Sequence, residues 1–318
     1  MSNDLPLVSI VVASYNNAKY LEECLESAAN QTYINIEIII ADDCSTDNSR
    51  EIIEKFIVKY PNKKIVPVLH EKNIGACANL NIAILNYATG DFVKVIDSDD
   101  YLSLDAVEVL SKELCQNPNR PAFVYAKSLV FVNDLNHKKS ISHTSLEKEV
   151  LSFKGLYFRN YISACTVMFR RSVFVEVGGY DNGIYIGDYY LWLRMAAKYQ
   201  FSFVDKVVGF YNASNDNSIS KNYEKMLAAN IQIRLLIYQQ NKAYISVQDL
   251  YRSILVSFGG FFVNTFYQTC TFSKLDAFKI LIHNYREILT YNKKSFVNCC
   301  TRFFINDKLK KIIKKIIK

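Results

Sequence analysis

Three carboxylates stand within four positions at Asp97-Ser98-Asp99-Asp100, directly after the mostly apolar run Val93 to Ile96. Such a cluster repels itself and takes up protons unless a cation neutralises it. Hard divalent cations, Mg2+ or Mn2+, prefer oxygen ligands, commonly one or two carboxylates together with the phosphates of a substrate. Asp97-x-Asp99 is therefore a candidate metal–diphosphate site, set against the plainer reading of a solvated acidic turn that caps the next helix. A second acidic pair, Asp42-Asp43, closes another apolar run, and Asp188 follows Gly187 where a helical pattern begins. Asp188 reads either as an N-cap or as a general base that takes a proton from an attacking hydroxyl.

The elements between these groups have to bring them together. Val8 to Ala13 is a continuous apolar run, expected of a strand buried on both faces; the turn Ser14-Tyr15-Asn16-Asn17 follows it. Tyr20, Leu21, Cys24, Leu25 and Ala28 then recur at helical spacing. Ile36 to Ala41 predicts a second strand, and Ser45-Thr46-Asp47-Asn48 caps a helix carrying Ile52, Ile53, Phe56 and Ile57. Ile65 to Leu69 predicts a third strand, whose Pro67 suggests an edge or irregular position. Asn73-Ile74-Gly75 turns into an Ala-rich helix ending near Thr89-Gly90, and Phe92 to Ile96 is the fourth strand. This alternation implies right-handed crossovers and a parallel sheet, and open sheets of that kind bind ligands beyond the carboxyl ends of their strands. Acidic residues ending two of the strands then converge on one rim.

Further on, Leu104 to Cys115 predicts a helix, Phe123 to Val132 a strand, and the polar stretch Asn133 to Ser145 an exposed loop. Thr166 to Phe169 reads as a strand, followed by a short helix ending at Gly178-Gly179. Tyr189 to Lys198 reads as a helix containing the one tryptophan, Trp192. A polar loop runs from Tyr211-Asn212 to Asn222, and only helical patterns follow. A boundary near Ser220 divides an α/β domain, residues 1–220, from a helical region, residues 221–318.

The blocks Val8 to Asn16, Ile40 to Asp47, Asn73-x-Gly75, Ile96 to Asp100, Gly178 to Asp181 and Gly187 to Arg194 follow one another as in family 2 glycosyltransferases, which the chain resembles over residues 5–220. The resemblance implies an α/β GT-A fold, a Rossmann-like, mostly parallel sheet flanked by helices, with a nucleotide-sugar half (1–103) and an acceptor half (104–220). It implies metal-dependent, inverting transfer of a hexose from a UDP-sugar, with Mn2+ or Mg2+, to a hydroxyl of a glycan. By the same resemblance Ala13, Tyr15, Asp42, Asn73, Gly75, Asp97 and Ser98 meet the nucleotide sugar. Asp42 accepts the imide N–H of uracil. Tyr15 stacks on the base or simply packs its turn. The turn at Asn73 and Gly75 opens a helix whose first amides suit phosphate or ribose oxygens. Asp99 and Asp97 hold the metal, with Asp97 also near the ribose and Asp100 assisting, and Asp188 is the catalytic base. Trp192 either stacks on the sugar or fills the core. Arg194, near the far side of the same helix, serves diphosphate or structure.

The chain also departs from the family pattern. Leu80 stands where relatives often carry an arginine, leaving Lys72 or Lys94 to supply positive charge. Gly187 replaces a frequent acidic residue. Tyr211-Asn212-Ala213-Ser214 lacks the usual histidine, so the third protein contact at the metal is open.

Composition narrows the remaining choices. A chain of 318 residues, half of them hydrophobic, can bury a large core. The formal charge of +7 lies mostly in the C-terminal third, a local feature and no nucleic-acid signature. Eight cysteines without CxxC or Cys/His ligand spacing, and an N-terminus without a signal-peptide pattern, point to a reduced, cytoplasmic protein. No residue between Arg252 and Lys274 is charged, yet its many polar residues and Gly259-Gly260 favour a buried or membrane-lying helix pair over a span. In the tail, Leu309, Ile312, Ile313, Ile316 and Ile317 share one helical face opposite lysines, which suits an anionic membrane surface or packing on the chain's own domain. With the resemblance, this suggests a lipid-pyrophosphate-linked acceptor, surface-polysaccharide synthesis and a peripheral place on the inner face of a bacterial membrane. Two other classes stand beside this one: an inactive, membrane-docked nucleotide-sugar binder, and a DxD phosphohydrolase, whose pair belongs on the first strand, not the fourth.

Overall fold

The computed structural model describes residues 5–132, 134–142, 151–215, 218–250, 252–254 and 256–257; most of the apolar stretch after Arg252 and the whole basic tail lie outside them. Among the described residues no helix is long and apolar enough to cross a membrane.

The apolar runs form the middle of one sheet. Strands β1 (Val8–Ser14), β2 (Ile36–Asp42) and β4 (Phe92–Asp97) run parallel, with Val11 level with Ile39 on one side and Val95 on the other. Ile10, Val12, Ile38 and Ile40 pack against Leu21, Leu25, Ile53, Phe56, Leu110 and Leu114 of helices α1 (Ala18–Ala29), α2 (Ser49–Lys59) and α4 (Ala106–Gln116). Val11, Ile39 and Val93, which alternate with these along the strands, are equally buried, so both faces are covered. Strand β3 (Ile65–Leu69) lies at the end of the strand order, where Pro67 and its missing N–H are tolerated. Helix α3 (Ala76–Ile82) continues into a π-helical turn, Ala83–Tyr87, and packs on β1 and β2.

Beyond β4 the sheet turns antiparallel at β8 (Met168–Arg170) and continues through β6 (Phe123–Val132), β9 (Phe201–Asn212) and β5 (Tyr101–Leu102). Three features differ from the sequence reading. Asp134–Ser142, expected as a loop, is strand β7, paired with β6; its backbone bonds the sheet although its composition is polar. Phe201–Asn212, not expected as a strand, pairs in parallel with β6, and Asp205-Lys206 bulge out of the ladder between Val204 and Val207. The strand expected at 166–169 begins at Met168, after the 3₁₀ turn Ala164–Thr166. Helices α6 (Arg171–Glu176) and α7 (Gly187–Ala196) follow β8.

The chain divides into two compact units: one of Met1–Phe153, Tyr161–Gly183 and Gly187–Asp216, the other of Lys154–Asn160, Ile184–Ile186 and Asn217–Lys318. In the second, helix α8 (Tyr223–Gln240) buries Arg234, which donates from Nε to Ser253 O at 3.1 Å and from Nη1 to Asn230 O at 3.0 Å. Tyr157 closes that arrangement by donating to the Arg234 carbonyl at 3.0 Å.

Candidate active site

The parallel register sets the carboxyl ends of three neighbouring strands side by side. Ser14 ends β1 level with Asp42 of β2, and Ala13 lies level with Asp97 of β4. Two backbone bonds then tie the loops to the strand ends: Asp43 N–H donates to Ser14 O at 2.9 Å, and Ser98 N–H to Ala13 O at 3.0 Å. Ala13, Tyr15, Asp42, Asp97, Ser98 and Asp99 therefore share one rim. Asn16 adopts a left-handed backbone, φ 51°, in which its Oδ1 accepts Thr46 N–H at 2.7 Å. Tyr15, 46% exposed, stands open beside it, as a stacking face requires.

The acidic pair after β2 is more engaged than the sequence implies. Asp42 is fully buried; its Oδ1 accepts Ser45 N–H and Arg50 Nε–H at 3.0 Å each, and its Oδ2 accepts the Ser45 hydroxyl at 2.5 Å. Three of the roughly four lone-pair sites of the carboxylate are thus taken, and with no exposed surface Asp42 buttresses its own loop instead of offering the open acceptor expected for a nucleobase. Asp43 accepts Ile74 N–H at 2.7 Å and Gly75 N–H at 2.8 Å. The amide of Gly75, a residue expected to meet the nucleotide sugar, is thus occupied by Asp43. Asn73 accepts Gly75 N–H as well, at 3.1 Å, and Gly75, with φ 88°, supplies the left-handed turn that begins α3. The sequence reading missed that Asp43 ties the loop after β2 to the turn that begins α3.

The Asp97–Asp100 cluster has three different environments. Asp97 reaches solvent at the end of β4, yet crowding by protein and the charges of Asp99 and Asp188 push its carboxyl up to about 7, against the opposing charge of Lys94. Asp99 is 9% exposed; burial raises its pKa, while the Asn215 amide, 2.7 Å from Oδ2, counters that rise. Asp100 is buried and raised further, by burial and then by Asp99 and Asp97, and its Oδ1 accepts Asn212 N–H at 3.0 Å. Asp100 is therefore an anchor to β9 and not a second open ligand. Lys94, offered by sequence as a source of positive charge for a ligand, is fully buried, its Nζ donating to Val95 O and Cys165 O at 2.8 Å each. Its ammonium cannot reach a ligand, and burial lowers its pKa to about 8. Lys72 is exposed, and Leu80 is buried.

Asp188 sits in the first turn of α7, half-buried, with Oδ1 accepting Tyr189 N–H at 2.7 Å. Burial raises its pKa. Its charge acts on Asp97, Tyr180 and Cys77, which places these groups in one neighbourhood. The wall carrying it is clamped from two helices. Asn81 of α3 brackets Tyr180, accepting its N–H at 2.8 Å and donating to its carbonyl at 2.9 Å. Arg194 of α7 donates to Val177 O at 2.6 Å and to Gly179 O, with its guanidinium 4.7 Å from the Tyr190 ring centre. Of the two roles open to Arg194, these contacts are structural. Trp192 is 1% exposed against Phe123 and Phe169, in the core and away from any sugar.

Among the described residues no group of three or more His, Cys, Asp or Glu is gathered as an all-protein metal cage. Two neighbouring carboxylates of raised pKa, with no ion-pair partner among the described residues, are nonetheless an oxygen donor set that fits Mg2+ or Mn2+ completed by phosphate and water. No local pattern marks Asn215, Asn17 or Asn212, because each acts through a residue far along the chain.

The curled, mostly parallel sheet flanked by helices is a GT-A fold. Residues 9–178 match glycosyl transferase family 2, and the chain belongs to this family. Over 115 residues it is 41% identical to the hyaluronan synthase of Pasteurella multocida, a match covering 36% of this chain and 11% of that protein. The matched segments span between a tenth and about a third of the first curated relatives. Among solved structures, S. aureus TarS 1-349 in complex with UDP-GlcNAc superposes with a TM-score of 0.65 at 18% identity, covering 92% of this chain and 81% of that one. The mannosyltransferase PcManGT of Pyrobaculum calidifontis, in complex with GDP-Man and Mn2+, superposes with a TM-score of 0.59 at 15% identity, covering 96% and 89%.

Proposed function

We propose that this chain transfers a sugar from a UDP-sugar, with inversion at the anomeric carbon, to a hydroxyl of a glycan carried on a lipid pyrophosphate, in polysaccharide synthesis at the inner face of a membrane. The observation that carries this reading is the shared rim of Asp97, Asp99 and Asp188, in which the charge of Asp188 is felt at Asp97. Asp97 and Asp99 hold the divalent cation, and when bound the cation neutralises the charge of the departing nucleoside diphosphate. Tyr15 stacks on the base, on the loop that the buried Asp42 braces. Asp188 takes the proton of the acceptor hydroxyl, a role its raised pKa favours. Gly187, having no Cβ, lets Cys77 and Tyr180 pack against the start of α7 beside Asp188. The UDP-GlcNAc and polymer-synthase names among the relatives support a UDP-sugar and a polysaccharide acceptor.

The test is a panel of UDP- and GDP-sugars, with Mn2+, Mg2+ or EDTA, offered with a lipid-pyrophosphate-linked monosaccharide. A UDP-sugar is expected to be consumed only with metal, giving an inverted linkage. If no donor is transferred or hydrolysed under any condition, the proposal fails and a binding role replaces it.

A further inference from the structure

The carboxylate that Asp99 presents stands in the turn after β4, where Asp100 N–H closes back on Asp97 O at 3.0 Å. No Lys, Arg or His forms an ion pair with it among the described residues. Its side chain is nevertheless gripped. Asn215, 5% exposed in the segment after β9, donates from Nδ2 to Asp99 Oδ2 at 2.7 Å and to Asn17 Oδ1 at 3.2 Å. The two hydrogens of one amide group are thereby both engaged. Asn17 in turn donates from its own Nδ2 to Ser98 Oγ at 2.9 Å, so the chain of bonds returns to the same acidic turn. The orientation of each amide follows, because Asp99 only accepts when ionised. These partners lie 81 to 198 residues apart in sequence and belong to the loop after β1, the turn after β4 and the segment after β9.

We propose that Asn215, oriented by Asn17, is a positioning residue of the metal–diphosphate site, holding the Asp99 carboxylate in the orientation the cation needs. The inference rests on the metal-dependent reading above. An amide is suited to this task where a lysine or arginine is not. It removes the rotational freedom of the carboxylate while leaving its negative charge uncompensated, so the cation meets no competitor. The residue thus makes up by orientation for the histidine that the Tyr211-to-Ser214 segment lacks. Asn212, three residues earlier, anchors Asp100 in the same way through its backbone, so one short segment sets two of the three carboxylates.

The test uses the whole chain and measures UDP affinity by calorimetry across a Mn2+ titration and again in EDTA, for the wild type, Asn215→Ala and Asn17→Ala, with a melting curve for each. Loss of one hydrogen bond to a charged group is expected to weaken Mn2+-dependent UDP binding about tenfold in Asn215→Ala. More Mn2+ is then needed for half-maximal binding, while UDP affinity in EDTA stays at the wild-type value. Asn17→Ala is expected to move in the same direction by a smaller factor. Wild-type behaviour of both variants at every Mn2+ concentration overturns the inference, as does an equal loss with and without metal, the mark of general damage. A wild type whose UDP binding ignores Mn2+ overturns the underlying metal reading and this inference with it, so the two failures are told apart.

Discussion

Carboxylates at the two ends of the same sheet meet opposite fates. Glu37, near the start of β2, is fully buried, and its oxygens accept the Ser9 hydroxyl at 2.6 Å, Thr89 N–H at 2.6 Å and Lys64 Nζ at 2.5 Å. Burial pushes its pKa up, but the Lys64, Ser9 and Thr89 contacts outweigh that and hold it below the ordinary glutamate range. At the opposite end, Asp97, Asp99 and Asp100 crowd one another, and all three are raised. Lys94, the cation whose charge is felt at Asp97 and Asp100, already gives hydrogen bonds to two carbonyls. A charge closed off by its own fold is structural. A cluster left with excess charge at a strand end is a candidate ligand site.

Four experiments would break or sharpen that contrast. Asp188→Asn is expected to lower transfer by about 10²- to 10⁴-fold, the usual weight of a general base, with UDP affinity unchanged; comparing turnover with calorimetry checks both halves. Asp99→Ala should weaken Mn2+-dependent UDP binding by at least about 10- to 100-fold, a range that even the outer partners of a metal command. Glu37→Ala should leave nucleotide binding alone and cost about 1–3 kcal/mol of stability, because it strands buried donors. Since the folded pKa of Glu37 is depressed, its contribution is present above the unfolded value of about 4.3 and is lost as pH falls through the folded value. Denaturant melts of wild type and Glu37→Gln should therefore converge at low pH. Asp97 carries the opposite sign. Its folded pKa of about 7 exceeds the unfolded value near 3.9, so the native state holds the extra proton between them and loses stability as pH rises. Metal-free Asp97→Asn should melt a few degrees above wild type at pH 8, with the gap closing as pH falls, and wild-type Mn2+-dependent UDP binding should tighten as pH rises through 7.

The contrast also marks what could be read from the amino-acid order. Strands β1, β2 and β4 were legible because burial on both faces demands unbroken apolar runs, and Pro67 marked the edge. Acidic residues at strand ends were legible because their chemistry is local. Strand β9 was not, since Asp205 and Lys206 bulge out and break its alternation. Strand β7 was not, since its composition is polar while its pairing with β6 is made by the backbone. Asp43, Arg194 and Asn215 escaped for another reason: their meaning lies in partners 15 to 116 residues away, and no local pattern encodes a hydrogen bond across that span.

One close approach constrains how this active site can be altered. A Cβ placed on Gly187 would run into Cys77 Sγ and come within 3.4 Å of Tyr180. Positions 77 and 187 are thus a single unit of change. An acidic side chain grafted beside Asp188 alone should misfit, whereas the same graft with Cys77→Gly has room to enter. A double-mutant cycle across the pair would show strong positive epistasis, and a designer seeking a second carboxylate in the acceptor pocket has to begin with the cysteine.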